Sequence, residues 1–146
     1  MSSRLLARVA LAALLLGGLC ACGDEDLGPG ALGRFRLDRP AMERMFVEDL
    51  GHAPDHARTE ARAVRMAIDF RGDNTFLMQT QSAGRKVLEA KGTWALNGTA
   101  LTITTTHQDG RKVEPPRVEH GQLEDPELTI TPTGSMAYRL ILRRVP

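Results

Sequence analysis

The chain has 146 residues, 42% hydrophobic and 25% charged, with 19 basic and 18 acidic side chains for a net charge of +1. That length fits one domain, and the apolar share excludes a chain disordered throughout. The near-neutral balance gives no electrostatic reason to expect nucleic acid as a partner. Four Phe, one Trp and one Tyr are too few for a surface that stacks single-stranded nucleic acid or sugars.

In chain order, Arg4 and Arg8 flank the start of an uncharged apolar run, Val9 to Leu16, and Gly17-Gly18 leads on to Leu19-Cys20-Ala21-Cys22. A basic start, a short apolar core and a small-residue exit are the parts of a secretory signal. The run falls short of the about 20 residues that a membrane-spanning helix needs. Leu19, Ala21 and Cys22 resemble the lipobox of bacterial lipoprotein signal peptides, with Leu at −3, a small residue at −1 and Cys at +1. The competing register, ending at Cys20, puts Leu19 at −1, where a small side chain is required.

The resemblance implies cleavage before Cys22, a diacylglycerol on its thiol and an acyl chain such as palmitate on its new amine. Two or three chains hold a protein stably on a bilayer, whereas one does so only marginally. Residues 1–21 are then the signal peptide, and the mature domain keeps no free thiol for a disulfide, a nucleophile or a cysteine metal site. Gly23 after the cysteine, rather than Asp, favours by the same resemblance the outer membrane of the cell envelope over the cytoplasmic membrane. Residues 22–32 continue with Asp24, Glu25 and Asp26 among glycines and Pro29, which predicts a solvated, flexible tether rather than a cation site.

Residues 33–146 read as the folded domain. Gly33 to Leu37 alternates as a first strand, and Asp38 is a helix N-cap with Pro40 in the first turn. Met42, Met45, Phe46 and Leu50 make a one-sided apolar stripe that Gly51 ends. The Ala-rich stretch from His52 to Arg62 is a candidate second short helix. From Val64 the period changes from 3.6 to 2: Val64, Met66, Ile68 and Phe70 alternate with polar or small residues. Arg71-Gly72-Asp73-Asn74 is turn chemistry, which accounts for its match to an adhesion tripeptide. Thr75 to Gln81 resumes a strand, and Leu88, Ala90, Gly92, Trp94 and Leu96 share one face of the next. Asn97-Gly98 predicts a type I′ hairpin with both residues at positive φ, and Asp109-Gly110 marks another turn. Weaker strand pieces surround Pro115-Pro116, a short one holds Leu128 and Ile130, and Met136, Tyr138, Leu140 and Leu142 alternate in the last.

The pattern is mainly β (α+β): about eight short strands in an antiparallel up-and-down barrel, with an N-terminal helix between strands 1 and 2. Closure removes edges that would otherwise pair with other chains. Gly92-Thr93-Trp94-Ala95-Leu96-Asn97-Gly98, running on to Leu101 and Ile103, resembles the G-T-W-x-L-x-G hairpin of bacterial lipocalin-like lipoproteins. Gly33-Arg34-Phe35 is similar to their opening strand with Phe in the aromatic place, and Phe70 to Phe76 to their x-D-G-T-F turn with Gly and Asp displaced. The resemblance implies a lipocalin-like barrel.

Met66, Met78, Leu88, Trp94, Met136 and Leu140 are the candidate lining of an apolar lumen suited to a small apolar ligand. Small residues such as Ala90 and Gly92 also pack against large ones, so a filled barrel docking an envelope protein by its outer face stays open beside the ligand carrier. His52-Ala53-Pro54-Asp55-His56 has chelating spacing, but Pro54 as an interruption of that turn and the missing His-Glu pair favour a solvated loop or helix start, and no metal or other cofactor is assigned. An enzyme site of His52, His56 and a carboxylate is the weakest alternative. No nucleophile elbow or phosphate loop occurs, so the reading is non-enzymatic, with the membrane as partner through Cys22.

Overall fold

The computed structural model describes residues 27–134 and 138–146, so the expectations placed on Cys22 and Met136 lie outside the described residues. The strands are β1 (Gly33–Leu37), β2 (Val64–Phe70), β3 (Thr75–Ser82), β4 (Arg85–Asn97), β5 (Ala100–Gln108), β6 (Arg111–Glu124), β7 (Glu127–Thr131) and β8 (Leu140–Arg144). Each pairs antiparallel with the next, and β1 with β8 closes the barrel, Phe35 lying opposite Arg144 and Leu37 opposite Leu142. The expected up-and-down barrel of eight strands is the fold. Two helices, α1 (Arg39–Glu48) and α2 (Pro54–Ala63), fill the β1–β2 connection.

Inward positions recur at period two. Met66, Ile68 and Phe70 of β2, Leu101 and Ile103 of β5, and Leu128 and Ile130 of β7 are buried. One outward residue on β2, Asp69, is also buried, because Arg34 directly opposite on β1 grips its carboxylate in a fork of 2.6 and 2.9 Å. Gly92 is required by close approach: a Cβ there would overlap the Thr104 carbonyl, and the β4–β5 register shifts between Lys91 and Gly92.

Both helices lie over the end of the barrel where β1 finishes and β2 begins. Asp38 caps α1 as expected, its carboxylate accepting from the Ala41 N–H at 3.1 Å and from Arg143 Nε of β8 at 2.8 Å. Burial alone would push this carboxyl up, but those hydrogen bonds and the Arg143 charge outweigh it and hold its pKa below the usual value. Ala41, Met42, Met45 and Phe46 face the core. Leu50, expected in the same stripe, falls beyond the helix end and is exposed. Gly51 stops the turn at φ 68°, its N–H bonded to the Val47 carbonyl. Ala57 and Ala61 of α2 are the buried positions of that helix, and small side chains there allow close packing on α1.

Three local expectations are corrected. At Asn97-Gly98 the two-residue loop is Gly98-Thr99, with Asn97 paired to Ala100 and positive φ at Gly98 but not at Asn97. That is the II′ pattern, glycine first, and it leaves the Thr99 carbonyl free to accept the Leu123 N–H. Asp109-Gly110 does have positive φ at both residues, the I′ requirement. The pieces around Pro115-Pro116 are one strand, β6, whose register against β5 jumps between Thr105–Arg117 and His107–Lys112. The prolines sit in the irregular stretch, where a missing N–H costs no ladder bond. The last strand begins at Leu140, and Tyr138 instead packs on Phe46.

Residues 27–32, expected to belong to a flexible tether, lie against the barrel. The Leu27 carbonyl accepts the Gly72 N–H at 2.7 Å, Leu32 packs on the core, and its carbonyl accepts from Arg144. A Cβ at Gly72 would overlap the Pro29 carbonyl, so glycine here serves contact rather than freedom. Among the described residues no helix is long and apolar enough to cross a membrane.

Candidate functional site

The barrel is filled at one end and hollow at the other. At the floor, beside the β2–β3 turn, Phe70 meets Phe35 at 5.8 Å and 80°, Trp94 at 5.9 Å and 79°, and Phe76 at 6.4 Å between ring centroids. Two of these contacts are edge-to-face and the third is tilted, and together they fill the section with rigid rings. At the opposite end, under the helices, no aromatic ring comes from the strands, their inward residues include Met, Leu and Thr, and a cavity of about 380 Å³ remains.

Register places the cavity walls. Met66 of β2 is opposite Thr80 of β3, which is opposite Leu88 of β4, so the three form one row across the inner face. Met78 stands in the next row, opposite Ile68 and Ala90. Leu140 of β8 completes the wall, and Met42 and Phe46 of α1 with Ala61 and Glu60 of α2 make the roof. Of the six residues expected to line a lumen, Met66, Met78, Leu88 and Leu140 do line this cavity. Trp94 does not. Its indole N–H donates to the Arg71 carbonyl at 3.0 Å, and its ring belongs to the floor. Met136 is outside the described residues.

The rim carries polar groups that sequence reasoning missed. Arg117 and Glu119 of β6 and Gln108 of β5 border the cavity. Arg117 donates through one terminal nitrogen to Gln108 at 3.3 Å. Its Nε lies 3.5 Å from a Glu119 oxygen, is buried, and makes no hydrogen bond. The alternation of Arg117 and Glu119 was available as a signal, but only to a reader who carried the strand through Pro115-Pro116.

His52 and His56 are brought together, and with them a third residue not singled out from the sequence. Glu60 places one oxygen 2.8 Å from His52 Nδ1 and the other 3.3 Å from His56 Nε2. Pro54 does not interrupt the arrangement; it starts α2, so that His56 and Glu60 stand one turn apart. That i, i+4 spacing was the legible signal for Glu60. Among the described residues, the other two histidines, His107 and His120, do not join the cluster. Comparison of the chain with protein-family models and with curated proteins finds no match.

Proposed function

We propose that the chain is a lipid-anchored lipoprotein of the cell envelope, non-enzymatic, whose barrel holds a small apolar ligand under its helical roof. The observation that carries this reading is the roofed cavity of about 380 Å³ walled by Met66, Met78, Leu88 and Leu140. Pockets that hold small ligands run from about 300 to 1,000 Å³, so the space suits a small amphiphile better than a whole phospholipid. Flexible methionines let such a wall adapt to its guest. The buried Arg117 Nε, which makes no hydrogen bond, supplies a donor for the guest's polar end.

The anchor rests on Leu19, Ala21 and Cys22, with Gly23 favouring the outer membrane. Leu27 docks at Gly72, on the floor side, and Cys22 precedes it by five residues. That span is at most about 18 Å when extended. With Cys22 in the bilayer, the aromatic floor faces the membrane and the roofed cavity faces away from it. The rival reading, a barrel that docks an envelope protein by its outer face, draws on the filled floor and on the exposed Val118.

The test is the full-length chain expressed in a bacterium, recovered from membranes and analysed by native mass spectrometry. The expected result is one bound small amphiphile, lost in Met78→Trp, which fills the cavity, and retained in Val118→Asp. An empty wild-type barrel, or the same adduct in Met78→Trp, overturns the ligand reading. Cys22→Ser is expected to abolish lipid labelling and Cys20→Ser to leave it; labelling that follows Cys20 overturns the register.

A further inference from the structure

Beside the cavity, at the α1–α2 junction, three donor groups converge. The ligating atoms of His52, His56 and Glu60 all lie within 4.8 Å of one another, and the closest two pairs are at 2.8 and 3.3 Å. A tetrahedral zinc ion with bonds of about 2.0–2.2 Å holds neighbouring donors roughly 3.3 Å apart, so the triad needs only rotamer-scale adjustment to receive one.

The fold, rather than chance collision of long side chains, sets this geometry. The Gly51 turn brings the His52 N–H to the Phe46 carbonyl at 3.0 Å, and the imidazole then stacks on the Phe46 ring at 5.7 Å and 16°. Phe46 is itself held edge-on by Tyr138 at 5.0 Å. The His52 ring is thus fixed before α2 presents His56 and Glu60 on one face. His52 Nδ1 is buried and, though 2.8 Å from the Glu60 oxygen, is not aligned to share a proton with it. A nitrogen that faces a carboxylate without a hydrogen bond can turn its lone pair to an ion, which would part the two atoms from 2.8 Å toward the roughly 3.3 Å of neighbouring zinc donors.

We propose that His52, His56 and Glu60 form a binding site for a divalent transition metal, zinc by preference, at the edge of the roofed cavity. Two imidazole nitrogens and one carboxylate oxygen are borderline donors that suit zinc and its neighbours and disfavour calcium or magnesium. Three protein ligands leave a fourth position for water or another oxygen donor. Bound metal would cross-link the α1–α2 loop to α2 and so tighten the roof, in which Glu60 itself lines the cavity. The simpler alternative is a His–Glu–His cluster that ties the loop to the helix without an ion, and the experiment separates the two.

The full-length protein is titrated with zinc, and separately with cobalt(II), beside His56→Ala and Glu60→Gln. His56 is largely exposed, with 61% of its side chain accessible, so His56→Ala leaves the fold intact, which far-ultraviolet circular dichroism verifies. The expected result is one equivalent of zinc bound, weakened at least about tenfold in each variant, with a zinc-dependent rise in Tm that both variants lose. The cobalt spectrum is expected to show nitrogen and oxygen ligation without a thiolate charge-transfer band, which sets Cys20 and Cys22 aside. Failure to bind one equivalent, affinity unchanged in both variants, or a thiolate band that persists in them overturns the proposal.

Discussion

The two ends of the barrel are built from the same strands and differ in which side chains each strand contributes. At the floor, three of the four phenylalanines and the single tryptophan meet, and Phe35 and Phe70 have no exposed surface. Under the roof the fourth phenylalanine lies on a helix, and the strand positions are methionine, leucine, valine and threonine with Gln108, Arg117 and Glu119 at the rim. One end is therefore a core and the other a container. A barrel of eight strands is near the size at which side chains just fill the interior, so the placement of a few rings decides whether space remains.

The largest expected effect lies in the floor. Phe70→Ala removes the ring that Phe35, Phe76 and Trp94 all contact, and should cost about 3–5 kcal/mol in urea denaturation followed by circular dichroism. A loss below 1 kcal/mol would mean that the floor is not close-packed. Next comes Asp69→Ala, which leaves the Arg34 guanidinium without its fork on the same end of the sheet. With the two side chains 27% and 11% exposed, the expected loss is about 1–3 kcal/mol, and a smaller loss for the same change in an Arg34→Met background would identify their pairing as the cause.

Truncation beside the cavity should cost less. Met78 already borders empty space, so Met78→Ala enlarges an existing void rather than opening one, and about 1–2 kcal/mol is expected, against roughly 2–5 for a packed methionine. If Met78→Ala matched Phe70→Ala, the distinction between core and container would fail.

How far this difference could be read from the sequence follows from what alternation measures. Period two tells which face a side chain occupies, and on that basis Leu88, Ala90, Gly92 and Trp94 share a face. It does not tell how far along the barrel axis each one lies. Six residues at about 3.3 Å each separate Leu88 from Trp94 by roughly 20 Å, which carries Trp94 from the cavity to the floor. Glu60 was within reach, one helical turn from His56, because that geometry is local. Arg117 was not, because its inward position depends on β6 continuing through two prolines, and that continuity depends on an irregularity shared with β5. The turn at Gly98 is similar: local chemistry names a hairpin, while the Thr99 carbonyl's partner on β6 selects its register.

Acid provides the finest probe of the two ends, because a carboxylate with a lowered pKa caps the roof helix, whereas the floor's packing rests on ring contacts. Asp38 holds the first turn of α1 and Arg143 of β8, and its pKa is lowered below the usual 3.8. A depressed carboxyl contributes stability that is fully present above its unfolded value and is lost as pH falls through the folded one. Glu89 of β4 behaves in the same way: Lys86 and Gln79 hydrogen-bond its carboxylate, and with the Lys86 charge they lower its pKa from 4.5 to about 2. Its contribution should therefore fade between those two pH values, and the stability difference between wild type and Glu89→Gln should close over the same range. Trp94 is the single tryptophan and sits in the floor, whereas the helices dominate the far-ultraviolet signal of the roof. On lowering the pH below about 4, helical circular dichroism should fall before Trp94 fluorescence shifts, since protonated Asp38 releases α1 while the ring contacts around Phe70 carry no proton. Coincident transitions would show instead that roof and floor unfold as one unit, and that the container is as firmly built as the core.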